Sequence, residues 1–201
     1  QPRILTDRIR REITPDPLTT RRDDGVYFGD ERIDDYRGQI YGLAADIGTT
    51  TVVLNVVDLE TAETVTTASF ENPQRFGGSD IMNRISYDEG PFRGELNQVM
   101  LSAVNFEIGD MSRRLGFHRR RIYDVVLVGN TTMRDIVFGV DVQSVGERPY
   151  KSLIELAVED GERETTAINV TAKELGLRVF PQANVYSGPL IGCHVGADVA
   201  A

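Results

Sequence analysis

With a single cysteine, Cys193, the chain has no partner for an internal disulfide and too few thiolates for a cysteine-rich metal or iron–sulfur site. Such sparing use of cysteine fits a reducing compartment. No apolar run approaches the roughly 20 residues of a membrane helix, and no basic-then-apolar leader opens the sequence. The expectation is a soluble, cytoplasmic protein without membrane contact. Positive charge is in deficit: 22 Lys and Arg stand against 31 Asp and Glu, a formal net charge of -9. That balance repels a phosphodiester backbone and argues against nucleic acid as a partner. Neither GxxxxGK[ST] nor GxGxxG occurs, so the two commonest glycine-loop nucleotide sites are excluded as written. There is no internal repeat. The chain opens on Gln1 rather than methionine and closes on HVGADVAA, which reads as the first turn of a helix, so a piece of a longer protein is expected.

What is present suffices for a core: 40% of the 201 residues are hydrophobic, enough for one or two domains. Residues 1–38 mix both charges around TPDPL and RRDDG, which interrupt regular structure and predict a linker or the tail of an upstream middle domain. From residue 39 to 201 the pattern is that of a folded domain. IYGLAADI, TTVVLNVVDL and ETVTTASFEN predict an antiparallel three-strand meander. Ser79 then suits the N-cap of a short helix, DIMNRISY. A longer helix over Glu95 to Leu115 sets Met100, Val104, Ile108, Met111 and Leu115 on one face, and Gly116 suits its end. Arg113, Arg114 and Arg119 to Arg121 read as a solvated basic helix end, with a phosphate patch as the alternative, and His118 among them as exposed. DVVLVGN predicts a buried strand parallel to the first, and TTMRDIVFG a helix capped by Asn130 or Thr131. Val145 to Asn169 is acidic and predicts irregular, solvated chain. Thr171 and Glu174 form a capping box, and ANVYSGPLIGCHVGADVAA reads as strand, glycine-spaced loop and helix start. The resulting order, β-β-β-α-β-α-β-α, predicts an α/β fold with a mixed sheet, that of a ribonuclease-H-like half-domain.

The loop between the first two strands holds Asp46, Gly48, Thr49, Thr50 and Thr51. Gly48 opens the backbone amides, the threonines add hydroxyl donors, and together these are phosphate ligands. Asp46 repels phosphate but suits Mg²⁺ or its water shell, as phosphoryl chemistry requires. A plain hairpin with solvated threonines is the alternative. GNTTM, with Gly129, Asn130, Thr131 and Thr132, is equally readable as a capped strand-to-helix turn. FGGSD suits a plain turn or a cleft loop, and the adjacent Cys193 and His194 are too few for a zinc site.

Four blocks in order, GLAADIGTTTVVLNVVDLETAE, ASFENPQRFGGSDIMNRI, VVLVGNTTM and PLIGCHVGADVAA, resemble the ATPase domain of the reductive activators of corrinoid proteins. That family is similar to the acetate-kinase, sugar-kinase, Hsp70 and actin superfamily. The resemblance implies the first lobe of an actin-like ATPase domain, in a parent that carries a [2Fe-2S] ferredoxin-like domain. It also implies ATP and Mg as cofactors, a corrinoid protein as partner, and Co(II) corrinoid returned to Co(I); a homodimer of the parent is compatible with it. By the same resemblance Asp46, Gly48, Thr49 and Thr50 form the first phosphate segment, while Gly129, Asn130, Thr131 and Thr132 face the cleft. Gly196, Ala197 and Asp198 would then lie on the connecting helix, with Asp198 a carboxylate near the metal or its water. The second phosphate segment and the ferredoxin cysteines are not in this sequence, so the chain alone is expected to be inactive. A small-molecule kinase of the same superfamily and a nucleotide-sensing interaction module are the other readings.

Overall fold

Alternation of apolar residues along Tyr41–Ile47 (β4) explains why this strand is central: Tyr41, Leu43, Ala45 and Ile47 are buried, whereas Ala44 and Asp46 on the opposite face are exposed. The computed structural model describes residues 18–192. In it β4 pairs antiparallel with Thr51–Asp58 (β5), and β5 with Thr64–Glu71 (β6), which is the meander that the sequence predicts. On its other side β4 pairs parallel with Ile122–Val128 (β7). Asn184–Ser187 (β9) continues parallel to β7, and Ile168–Thr171 (β8) closes the edge antiparallel to β9. The six-stranded mixed sheet therefore has the order β6-β5-β4-β7-β9-β8.

Helices cover the buried face. Ile81–Tyr87 (α1) is capped by Asp80, whose side chain accepts from the Asn83 amide at 2.9 Å, and not by Ser79 as the sequence suggests. An aspartate one residue on supplies the same oxygen with a charge that favours a helix N-terminus. Glu95–Leu115 (α2) buries Leu96, Met100, Val104, Ile108 and Met111 against the sheet. Full burial of each such side chain is worth about 1.5–3 kcal/mol, which carries the helix past Gly109. Leu115, expected on that face, is 45% exposed because the helix ends there: Gly116 takes φ +71° and its amide donates to Arg113 O and Ser112 O. Thr131–Phe138 (α3) is buried along its whole length.

Two further departures concern segments with weak patterns. The acidic stretch after Val145 is not irregular throughout. Besides the short Gln143–Gly146 (α4), it contains Leu153–Glu159 (α5), opened by a Ser152–Glu155 capping box, and the edge strand β8. Ala172–Leu175 (α6) follows, with the predicted Thr171–Glu174 box in place. Upstream, where the sequence suggests a linker or an upstream domain's tail, Thr19–Arg22 (β1), Gly25–Phe28 (β2) and Glu31–Asp35 (β3) form a separate antiparallel sheet. It is anchored to the larger sheet. Val26, Ile40 and Tyr123 share a small buried cluster, and Tyr123 Oη donates to Asp34 at 2.9 Å. Burial, helped by Asp34, pushes the Tyr123 hydroxyl up to about 12. Thr19 Oγ1 donates to Asp124 at 3.1 Å, and burial raises the Asp124 carboxyl above its ordinary value despite this bond and one from Asn184. No helix among the described residues is long and apolar enough to cross a membrane.

Candidate functional site

The chain winds outward from β4 on one side through β5 and β6, then on the other through β7 and β9. Parallel β4 and β7 thus end side by side where the winding reverses, the position at which open α/β sheets bind ligands. Both sequence-predicted loops lie there. Asp46, exposed, is flanked by Val53 on β5 and Val128 on β7. One residue beyond β4, the hairpin Gly48–Thr49–Thr50 turns the chain into β5, which starts at Thr51.

Side-chain-free backbone makes this turn possible. A Cβ on Gly48 would lie 2.5 Å from Thr51 O, and one on Gly129 would lie 2.9 Å from Ile47 O. Both are below any normal contact, so each loop closes only with glycine. The second contact also packs the end of β7 directly onto the end of β4. Asn130 completes the junction: its amide nitrogen donates to Thr49 Oγ1 at 3.2 Å, while its oxygen accepts from the Met133 amide at 3.0 Å. The capped-turn reading of GNTTM is thus realised by Asn130, whose side chain also touches the hairpin. Thr50 and Thr51 are exposed beside it. Thr131 and Thr132 are fully buried; Thr131 donates to Gly192 O at 3.2 Å, and Thr132 Oγ1 has no partner among the described residues. Gly129 is buried as well, so what this loop offers to solvent comes from the half-buried Asn130. Gly196 and Asp198, with Ala197, Cys193 and His194, lie outside the described residues.

Two buried residues anchor the hairpin; both fall within the block ASFENPQRFGGSDIMNRI, but neither is singled out by its sequence pattern. Asn72, 1% exposed, donates from its side chain to Gly48 O at 2.8 Å and from its backbone to Thr50 O at 2.7 Å. Arg84, also 1% exposed, donates to Thr49 O at 2.6 Å and to Gly78 O at 3.0 Å. Its remaining contacts are Gln74 Oε1 at 3.4 Å and Met133 Sδ at 3.0 Å, and burial lowers its pKa. Every carbonyl of the turn is thus held from below. Asn72 ends the β6 strand and Arg84 sits mid-way along α1, 24 and 35 residues from their partners, so no local motif marks them.

No group of three or more His, Cys, Asp or Glu among the described residues is arranged to hold a metal ion by itself. One carboxylate, Asp46, next to the hairpin fits the manner in which Mg²⁺ is held, through one or two carboxylates, waters and substrate phosphates. The amides and hydroxyls of the hairpin are of the kind that suits a phosphate. At the other end of β7, Arg37, His118, Arg120 and Arg121 line an open cavity of about 570 Å³ with Asp34 and Phe180. His118 is exposed, and its Nδ1 caps a turn by accepting from the Arg120 amide at 3.2 Å.

The chain is similar to known proteins in sequence and fold. The corrinoid activation enzyme RamQ of Eubacterium limosum is 28% identical over 164 residues, 81% of this chain and 26% of the relative. A solved structure of a reductive activator for corrinoid,iron-sulfur protein superposes with a TM-score of 0.72 at 31% identity, over 84% of this chain and 26% of that one. The chain spans about a quarter of the length of both. Residues 41–201 match the model of the RACo middle region, and the chain belongs to that family.

Proposed function

We propose that this chain forms one side of an ATP site in a protein that reductively activates a corrinoid protein, returning Co(II) to the methyl-accepting Co(I) state. Its sheet would be the first lobe of an actin-like, ribonuclease-H-like ATPase domain. The observation that carries the reading is the meeting of two loops far apart in sequence: Asn130 of GNTTM donates to Thr49 of DIGTTT at the switch point of the sheet. In this reading the Thr49, Thr50 and Thr51 amides and hydroxyls receive the nucleotide's phosphates, and Asp46 holds Mg²⁺ through water. ATP supplies the driving force for an electron transfer that is unfavourable alone, the electron coming from a [2Fe-2S] centre elsewhere in the protein. Likeness to two corrinoid activators supports the corrinoid partner.

ATP turnover by the intact protein, with and without an oxidised corrinoid protein, tests this. Stimulation by the corrinoid protein is expected, with turnover lowered roughly a hundredfold or more in Asp46→Ala by loss of metal positioning. Turnover that ignores the corrinoid protein but needs a hydroxylated small molecule would identify a kinase instead. Turnover unchanged in Asp46→Ala would remove Asp46 from the metal.

A further inference from the structure

The buried guanidinium of Arg84 is unusual in its company. Its acceptors are two backbone carbonyls, a glutamine oxygen and a thioether, all neutral; the Asp80 carboxylate favours its charge through space but forms no ion pair with it. A buried charge that is only partly offset is unfavourable and is retained where something else compensates. The nearest acceptor is the Thr49 carbonyl at 2.6 Å, inside the hairpin.

The direction of those carbonyls matters. In a trans peptide the C=O of one residue and the N–H of the next point in opposite directions. The Asn72 side chain holds Gly48 O and Arg84 holds Thr49 O, so the amides of Thr49 and Thr50 are turned away from these anchors, while Thr50 O is taken by the Asn72 amide in continuation of the β5–β6 ladder. Successive amides freed in this way suit an anion, and a fixed positive charge behind them strengthens the site. Gln74 buttresses the device. Its backbone amide donates to Asn72 Oδ1 at 2.8 Å and its side-chain nitrogen to Leu96 O at 3.1 Å, tying both anchors to α2.

We propose that Arg84, with Asn72, is a positioning residue that sets the Thr49 and Thr50 amides for an oxyanion and supplies the buried positive charge behind it. The inference rests on the phosphate-binding reading of this hairpin and adds the residues that make it competent. An anion adds to the partial counter-charge that Asp80 supplies, and the anchored carbonyls hold the hairpin ready rather than leaving it to assemble on binding.

Amide exchange across residues 42–56 of the intact protein, followed by mass spectrometry with inorganic pyrophosphate and with Mg·ADP as probes, tests it. In the wild type both probes should slow exchange at the hairpin. Arg84→Met should weaken pyrophosphate binding roughly tenfold or more, the worth of one charged hydrogen bond, and abolish that protection while exchange in α2 stays unchanged. Arg84→Lys keeps the charge and the fold, and should restore much of the affinity with less protection, because an ammonium lacks the fork that reaches Thr49 O and Gly78 O together. Wild-type affinity and protection in Arg84→Met, or no advantage of Lys over Met, would overturn the positioning role alone. No protection of the wild-type hairpin by either probe would overturn the phosphate reading, and this inference with it.

Discussion

Gly48 and Gly129 show how much of the site hangs on the absence of one carbon atom. Each stands where a Cβ would meet backbone oxygen, Thr51 O at 2.5 Å and Ile47 O at 2.9 Å, and backbone cannot move aside as a flexible side chain can. Gly48→Ala should therefore open the hairpin and shift the amides that follow it. The expected result is a loss of about 1–3 kcal/mol in urea unfolding, typical of overpacking, together with loss of nucleotide binding by titration calorimetry. Near-wild-type values in both would show that the hairpin has slack that its geometry denies. Residue by residue, the sequence revealed those groups whose chemistry is local: Asp46, the threonines, Gly48 and the Asn130 cap all fall in short, recognisable runs. Asn72 and Arg84 were illegible for a physical reason. They act on hairpin carbonyls 22 to 35 residues away, and a carbonyl carries no residue identity, so nothing in the sequence pairs donor with acceptor.

At the scale of elements, legibility followed the strength of the pattern. The meander, α2 and β7 have long apolar periodicities and lie where the sequence puts them. The small sheet β1–β3 is short and strongly charged, and α5 is a two-turn acidic helix; both owe their form to what they pack on. Ser152 illustrates this. It caps α5 and also donates to Asp135 at 2.5 Å, while Arg134, adjacent to Asp135 on α3, binds that carboxylate at 2.8 Å and Thr166 O at 2.8 Å. Thr166 Oγ1 in turn accepts from the Leu190 amide at 2.8 Å. One buried ion pair on the helix behind GNTTM thus fixes α5 and the approaches to β8 and beyond β9. Arg134→Met should leave Asp135 charged and short of partners, at a cost of about 3–5 kcal/mol by denaturant unfolding. The double variant Arg134→Met with Asp135→Leu should lose less than the single change, since it leaves no buried charge behind. A single variant within roughly 0.5 kcal/mol of wild type would show that the network does not hold these elements.

For the whole molecule the proposed nucleotide site is one-sided. In that proposal the described hairpin, Asp46 and the Gly129–Asn130 turn approach the ligand from a single sheet end, and the chain spans 26% of the length of its relatives. Preorganised donors on one side of a nucleotide hold its phosphates, but phosphoryl chemistry needs groups on both sides to place the attacking water and exclude bulk solvent. The overall charge of -9 adds a long-range repulsion toward free ATP that Mg²⁺ reduces, so the magnesium complex is the expected ligand. A protein made of these 201 residues alone should therefore bind Mg·ADP weakly and release phosphate from ATP no faster than the uncatalysed background. The intact protein, assayed beside it, should turn ATP over. Equal phosphate release by the two would mean that the site is complete within this chain, with the missing groups among residues 193–201 or on faces that this reading leaves unused.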